Sequence, residues 1–125
     1  MVVSSYRDLL VWKAAMELAK IVYAVSAQFP AKETYGITSQ LQRAATSVPA
    51  NIAEGHAQTP TKEFLHHLSI ARGSLAELET LLTLAEQLGY CGQSQTLEVF
   101  PQCDRVSRML AGLRKRLKEK IERIR

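Results

Sequence analysis

Aromatic residues are scarce, 6% of 125 positions, and no stretch alternates apolar with polar side chains, so neither the composition nor the period of a β-sheet is present. No apolar run approaches the ~20 residues needed to span a bilayer. The opening segment, Met1 to Asp8, has neither the basic nor the apolar region of a signal peptide. The chain therefore reads as cytoplasmic, with no membrane partner. Cysteine is limited to Cys91 and Cys103, without a CxxC pair or a nearby histidine array, which points to reduced structural thiols. Catalytic signatures are missing too: there is no Gly-rich phosphate loop, no GxSxG elbow and no Cys–His constellation. His66 and His67 are adjacent, so on a helix they diverge by about 100°. Together with His56 they lack the i, i+4 spacing of a helical metal site. Glu77 and Glu79 diverge likewise. No enzyme, metal or cofactor is expected.

What is present is a hydrophobic fraction of 46% and a mean hydropathy of −0.09, suited to one domain over residues 1–125 with a core of its own. Charge is unevenly placed. Residues 105–125 hold nine basic side chains (Arg105, Arg108, Arg114, Lys115, Arg116, Lys118, Lys120, Arg123, Arg125) against Glu119 and Glu122, a net of +7. The preceding 104 residues hold seven basic and ten acidic side chains, a net of −3. A cationic end of this kind implies an anionic partner or a strongly solvated terminus.

Apolar periodicity predicts four helices. The first runs from about Leu9 to Phe29, with one apolar line through Trp12, Met16, Ala19 and Tyr23 and another through Val11, Leu18, Val22 and Val25. The second starts near Ile37 and ends at about Gly55, read as its C-terminal cap, and Pro49 should kink it. The third runs from a cap at Thr59 and Pro60 to Leu88, with Gly89 ending it. It carries a clean stripe through Phe64, Leu68, Ala71, Leu75, Leu78 and Leu82, and a second through Ile70, Leu81, Leu84 and Leu88. Arg72, Gly73 and Ser74 sit inside this pattern and read as a close helix-packing site. The fourth begins around Ser94, meets Pro101, and continues as a seam of Val106, Leu110, Leu113, Leu117, Lys120 and Ile124. The fold class is all-α, an antiparallel up-and-down four-helix bundle. The wide apolar arcs on the first and third helices exceed what one bundle hides, which predicts self-association.

On the second helix, Gln40, Arg43, Ser47, Asn51 and Glu54 share a sector roughly 80° wide beside Ile37, Leu41, Ala44, Val48 and Ile52. Asn, Ser and Pro in mid-span each weaken a helix, so something outside it must compensate. The whole run from Gln40 to Gly55 resembles the central motif of the small bacterial four-helix-bundle proteins whose founding members are encoded in intervening sequences of 23S ribosomal RNA genes. Agreement extends to Asp8–Ala14, to Phe29-Pro30 with Glu33, Tyr35 and Gly36, and to Lys62–Phe64 and Ile70–Thr80. It continues through Leu88-Gly89-Tyr90, covering about residues 6 to 113. The resemblance implies a ring-shaped homo-oligomer, a pentamer, with no enzymatic activity. It also implies kinship with the accessory protein of diversity-generating retroelements, a basic, nucleic-acid-binding pentamer that partners a reverse transcriptase.

Two readings of the polar line stand. In one, Arg43 pairs with Glu77 or Glu54 while Ser47 and Asn51 satisfy backbone groups freed by Pro49, with Arg72, Ser74 and Glu77 as further motif or subunit-contact residues. In the other, the line is a ligand or nucleic-acid surface at a subunit junction. The basic tail is the candidate RNA or DNA contact. It has no interleaved aromatics, so base stacking is unsupported. The alternative is a purely structural module that contacts another protein and never nucleic acid.

Overall fold

The computed structural model describes residues 5–57 and 61–124. Four helices follow in order, α1 Leu10–Ser26, α2 Ile37–Ala57, α3 Thr61–Gln87 and α4 Gln93–Ile124, with 3-10 turns at Tyr6–Asp8 and Ala31–Glu33. Each packs on its neighbours in the chain, α4 returns to α1, and the diagonal pairs stand apart. That is the expected up-and-down four-helix bundle. The proposed cap at Thr59 and Pro60, and Arg125, lie outside the described residues, as does the side chain of Ile124.

The core follows the apolar stripes. Val11, Leu18, Val22 and Val25 of α1 are all buried, facing Leu41, Ala44, Ala45, Val48 and Ile52 of α2 and the Phe64-to-Leu82 stripe of α3. The other line on α1 is divided. Ala19 is buried and Trp12 half-buried, edge-on to Tyr6 at 5.2 Å, whereas Met16 and Tyr23 stay 40% and 46% exposed. On α3 the second stripe is mostly outside: Ile70, Leu84 and Leu88 are exposed and Leu81 half-buried.

Helix ends depart from the sequence pattern where local hydrogen bonding intervenes. α1 stops at Ser26, because the Gln28 and Phe29 amides donate to carbonyls only three residues back and tighten the chain into a turn. Gly89 ends α3 as expected, with φ of 80°. The Tyr90 amide reaches the Ala85 carbonyl at 2.9 Å and the Gly89 amide reaches Glu86 at 3.0 Å. Gly55 does not cap α2. It lies inside the helix and is buried, and a Cβ there would fall 2.8 Å from both His67 Cβ and Phe64 Cδ1. Its role is to let α2 and α3 approach. Gly73 is the converse: it lies within α3 but is exposed, with no atom within 4 Å of the position a Cβ would take, so it serves no packing inside the protomer. Both Pro49 and Pro101 sit within unbroken helices. Each leaves the carbonyl four residues earlier, that of Ala45 or Leu97, without its helical donor.

Across the far end of the bundle, Glu33 joins three elements. One carboxylate oxygen accepts from the Ile37 amide at 3.3 Å, capping α2, and the other accepts from the Tyr90 hydroxyl at 2.7 Å, reaching the α3–α4 turn. These two donors, the hydroxyl first, hold the Glu33 carboxyl below its usual range, and the same bond raises the Tyr90 phenol.

Two predictions follow from the glycines and the clamp. Gly55→Ala is expected to destabilise the bundle by about 1–3 kcal/mol through overpacking, whereas Gly73→Ala stabilises it by about 0.5–1 kcal/mol through helix propensity alone. Urea denaturation at fixed protein concentration measures both. For the clamp, a depressed carboxyl contributes stability that is present above the ordinary carboxylate range and is lost as pH falls through the folded value. Tyr90→Phe is therefore expected to be less stable than the parent at neutral pH, with a gap that narrows on acidification. A pH-independent gap would show that the carboxylate does not drive it.

Candidate functional site

Two polar regions stand out, and the fold treats them oppositely. The first is a hydrogen-bonded ladder between α2 and α3. Asn51 on α2 is half-buried, and its Nδ2 donates to the Ser47 carbonyl at 2.8 Å and to Ser47 Oγ at 3.0 Å. Ser74 Oγ crosses from α3 to Ser47 Oγ at 2.8 Å, and His67 Nδ1 meets Asn51 Oδ1 at 3.0 Å. Glu54 completes the line with an oxygen 3.6 Å from the same imidazole nitrogen. Side chains that weaken an isolated helix are thus matched across a helix pair, which removes the penalty of burying them unpaired.

The ladder differs in its details from the pairing expected of a structural role. Among the described residues, Arg43 makes no ion pair with Glu77 or Glu54, and Gln40, Arg43, Arg72 and Glu77 are all exposed. Asn51 bonds the carbonyl of Ser47, one turn back, and so does not serve the Ala45 carbonyl that Pro49 leaves free. His67 is the member that sequence reasoning missed. In the sequence it stands out only beside His56 and His66, as a metal-ligand candidate with the wrong spacing. Among the described residues no group of three His, Cys, Asp or Glu side chains could hold a metal ion. The signal that finds His67 is its position: in an antiparallel hairpin, residues equally far from the turn face each other, and Asn51 and His67 are nearly so. The thiols are set apart from any chemistry. Cys103 and Cys91 are free and buried, and burial pushes Cys103 up to about 12 and raises Cys91 as well.

The second region is the cationic end. At 32 residues α4 is the longest helix, about 48 Å against about 26 Å for the 17 residues of α1. Its fully buried seam ends with Val106 and Leu110, after which Leu113, Leu117 and Ile121 are only half-buried and Lys120 is exposed. The overhang runs beside the start of α3, where Lys62 and Leu65 meet Lys118 and Ile121 around a shallow depression of about 270 Å³. Arg108 is tied to Asp104 on its own helix at 2.6 Å. Among the described residues, Arg105, Arg114, Lys115, Arg116, Lys118, Lys120 and Arg123 form no ion pair, although Glu119 and Glu122 share their helix. Arg105, Lys115, Arg116, Lys118, Lys120 and Arg123 are exposed, and Arg114 is half-buried. No helix of the described residues is long and apolar enough to cross a membrane.

Geometry of this kind defines a class: an all-α four-helix bundle with a satisfied polar seam and an unneutralised basic end. Residues 7–112 match the model of the 23S rRNA-intervening sequence protein family, and the chain belongs to that family. The same fold is seen in the crystal structure of a protein with unknown function from the S23 ribosomal protein family of Bacteroides thetaiotaomicron VPI-5482. That structure superposes with a TM-score of 0.75 at 24% identity, covering 85% of this chain and 99% of the other. No match is found among curated proteins.

Truncating the ladder tests its structural role. Asn51→Ala strips Ser47 and His67 of a partner and is expected to lower stability by about 1–3 kcal/mol. Scattering should report the same molar mass as for the parent, and a change in mass at unchanged stability would instead make Asn51 a contact between copies.

Proposed function

We propose that this protein is a ring-forming, non-enzymatic bundle that binds RNA or DNA through the phosphate backbone, using the cationic end of α4. One observation carries the reading: seven described tail cations stand without a carboxylate partner on a helix that outruns the core. Lysine and arginine at a helix C-terminus stabilise it through the dipole only in the last turn. Arg105 to Lys118 lie well before that. Unpaired cations along a surface are suited to a polyanion, whose binding releases condensed counterions and needs no base contacts.

Self-association supports the same reading from another side. Exposed Met16 and Tyr23 on α1 and Ile70, Leu84 and Leu88 on α3 leave apolar surface that a second copy would cover. A closed ring, a pentamer by the family resemblance, repeats the basic segment once per copy and multiplies the local potential. A cytoplasmic location gives access to both kinds of nucleic acid, and kinship with retroelement accessory proteins fits such a role.

Replacing Arg114, Lys115, Arg116 and Lys118 with glutamine is expected to abolish the mobility shift of labelled RNA or DNA that the parent protein shows, with light scattering reporting the same mass for both. Parent affinity should fall steeply between ~50 and ~200 mM salt. Retention of binding in the glutamine variant would remove the tail from the interface, and a single-protomer mass at micromolar concentration would remove the ring.

A further inference from the structure

The seam between α3 and α4 carries three neighbouring depressions. Lys118 and Glu122 line both the first, about 270 Å³, and the second, about 340 Å³, while Arg72 lines both the second and the third, about 430 Å³. Set in a row, the depressions trace a segmented groove along the bundle, from the end of α4 back over the middle of α3, with the Lys118, Glu122 and Arg72 side chains between neighbouring segments. Small residues, Gly73, Ala76 and Ala111, make it open, and Lys62 and Arg72 bring cations from α3 to face Arg114, Lys115 and Lys118 of α4. Glu79, Glu119 and Glu122 also line it, yet among the described residues none comes within ion-pair distance of these cations. Arg114 Nε is buried without a hydrogen-bond partner, so the guanidinium is incompletely matched inside the protomer.

Gly73 adds an independent sign. Glycine is among the least favourable residues in a helix interior, and the space around its missing Cβ is empty. Packing within the bundle does not explain it. A glycine at an open groove floor permits close approach by something from outside.

We infer that this groove seats a phosphodiester backbone, so that the nucleic-acid interface extends from the tail of α4 across Lys62, Arg72 and Gly73 of α3. The inference rests on the nucleic-acid binding proposed above and locates it. An extended peptide finds little here, because the walls are helix sides whose backbone groups are already paired. A polyanion needs only the side-chain cations. Lys62 and Arg72 stand about 15 Å apart along α3, a span of several phosphates of one strand. No aromatic side chain lines the groove, so bases are not stacked and sequence is not read.

Fluorescence anisotropy with a labelled strand of roughly 20 nucleotides, as RNA and as DNA, tests the placement across ~50 to ~200 mM salt. Lys62→Gln and Arg72→Gln are each expected to weaken binding several-fold and to reduce the salt slope by about 1. Gly73→Gln, whose Cβ would meet no protein atom within 4 Å, should weaken binding with little change in slope, while Gly73→Ala binds nearly as the parent does. If the tail variant loses binding but all three groove variants bind like the parent, the groove is overturned and the tail reading survives. If the parent binds neither RNA nor DNA, both fall. If Gly73→Gln changes the assembled mass, the groove is a contact between copies, and the inference falls on that result alone.

Discussion

Close contact between α2 and α3 sets the geometry on which everything else hangs. A Cβ at Gly55 would fall 2.8 Å from His67 Cβ and Phe64 Cδ1, and the buried residues Ala44 and Ala45 of α2 and Ala71 of α3 add little bulk to the core. Within that narrow space Ser47, Asn51, His67 and Ser74 can reach one another, since hydrogen bonds of 2.8 to 3.0 Å tolerate little separation. The polar ladder also constrains register. Sliding α3 by one turn would leave Asn51 and Ser47 half-buried with no partners across the interface, at a penalty typical of unsatisfied polar groups. An apolar stripe by itself tolerates such slippage far better.

Fixing α3 in this way fixes its outer surface as well. α4 packs against α3 and α1, so the position of its basic end beside the start of α3 follows from the seating of α3 on α2. Polar groups between α2 and α3 bond to one another, whereas among the described residues Lys62 and Arg72 of α3 and the α4 cations other than Arg108 form no ion pair. Exposed ion pairs contribute little to stability, so the absence of partners there is inexpensive to the fold while it preserves a strong local potential.

Much of the fold was legible in the sequence because amphipathic periodicity is a local property. The stripes through Val11, Leu18 and Val22, through Leu41, Val48 and Ile52, and through Phe64 to Leu82 are the buried ones. Gly89 was legible as a stop because a positive φ follows from local chain geometry. Gly55 was misread by the same local logic. A glycine near a helix end resembles a cap until the neighbouring helix is seen pressing on it. Gly73, expected to mark close packing, turns its bare side to open space. The polar line on α2 was legible as a demand for partners, yet the partners were not those expected: Arg43 remains exposed, and His67 fills the place opposite Asn51.

Composition and periodicity alone determined the all-α class, the helix count, most of the core and the concentration of positive charge in the last 21 residues, because each depends on residues close together in the chain. Only the tertiary structure decided which polar groups meet across α2 and α3, which glycine faces a neighbour and which faces solvent, and that Lys62 and Arg72 each line a depression together with α4 cations. Those outcomes depend on how one helix is rotated and seated against another. Helix rotation is set by the fit of whole surfaces, and no single stretch of sequence contains both sides of that fit.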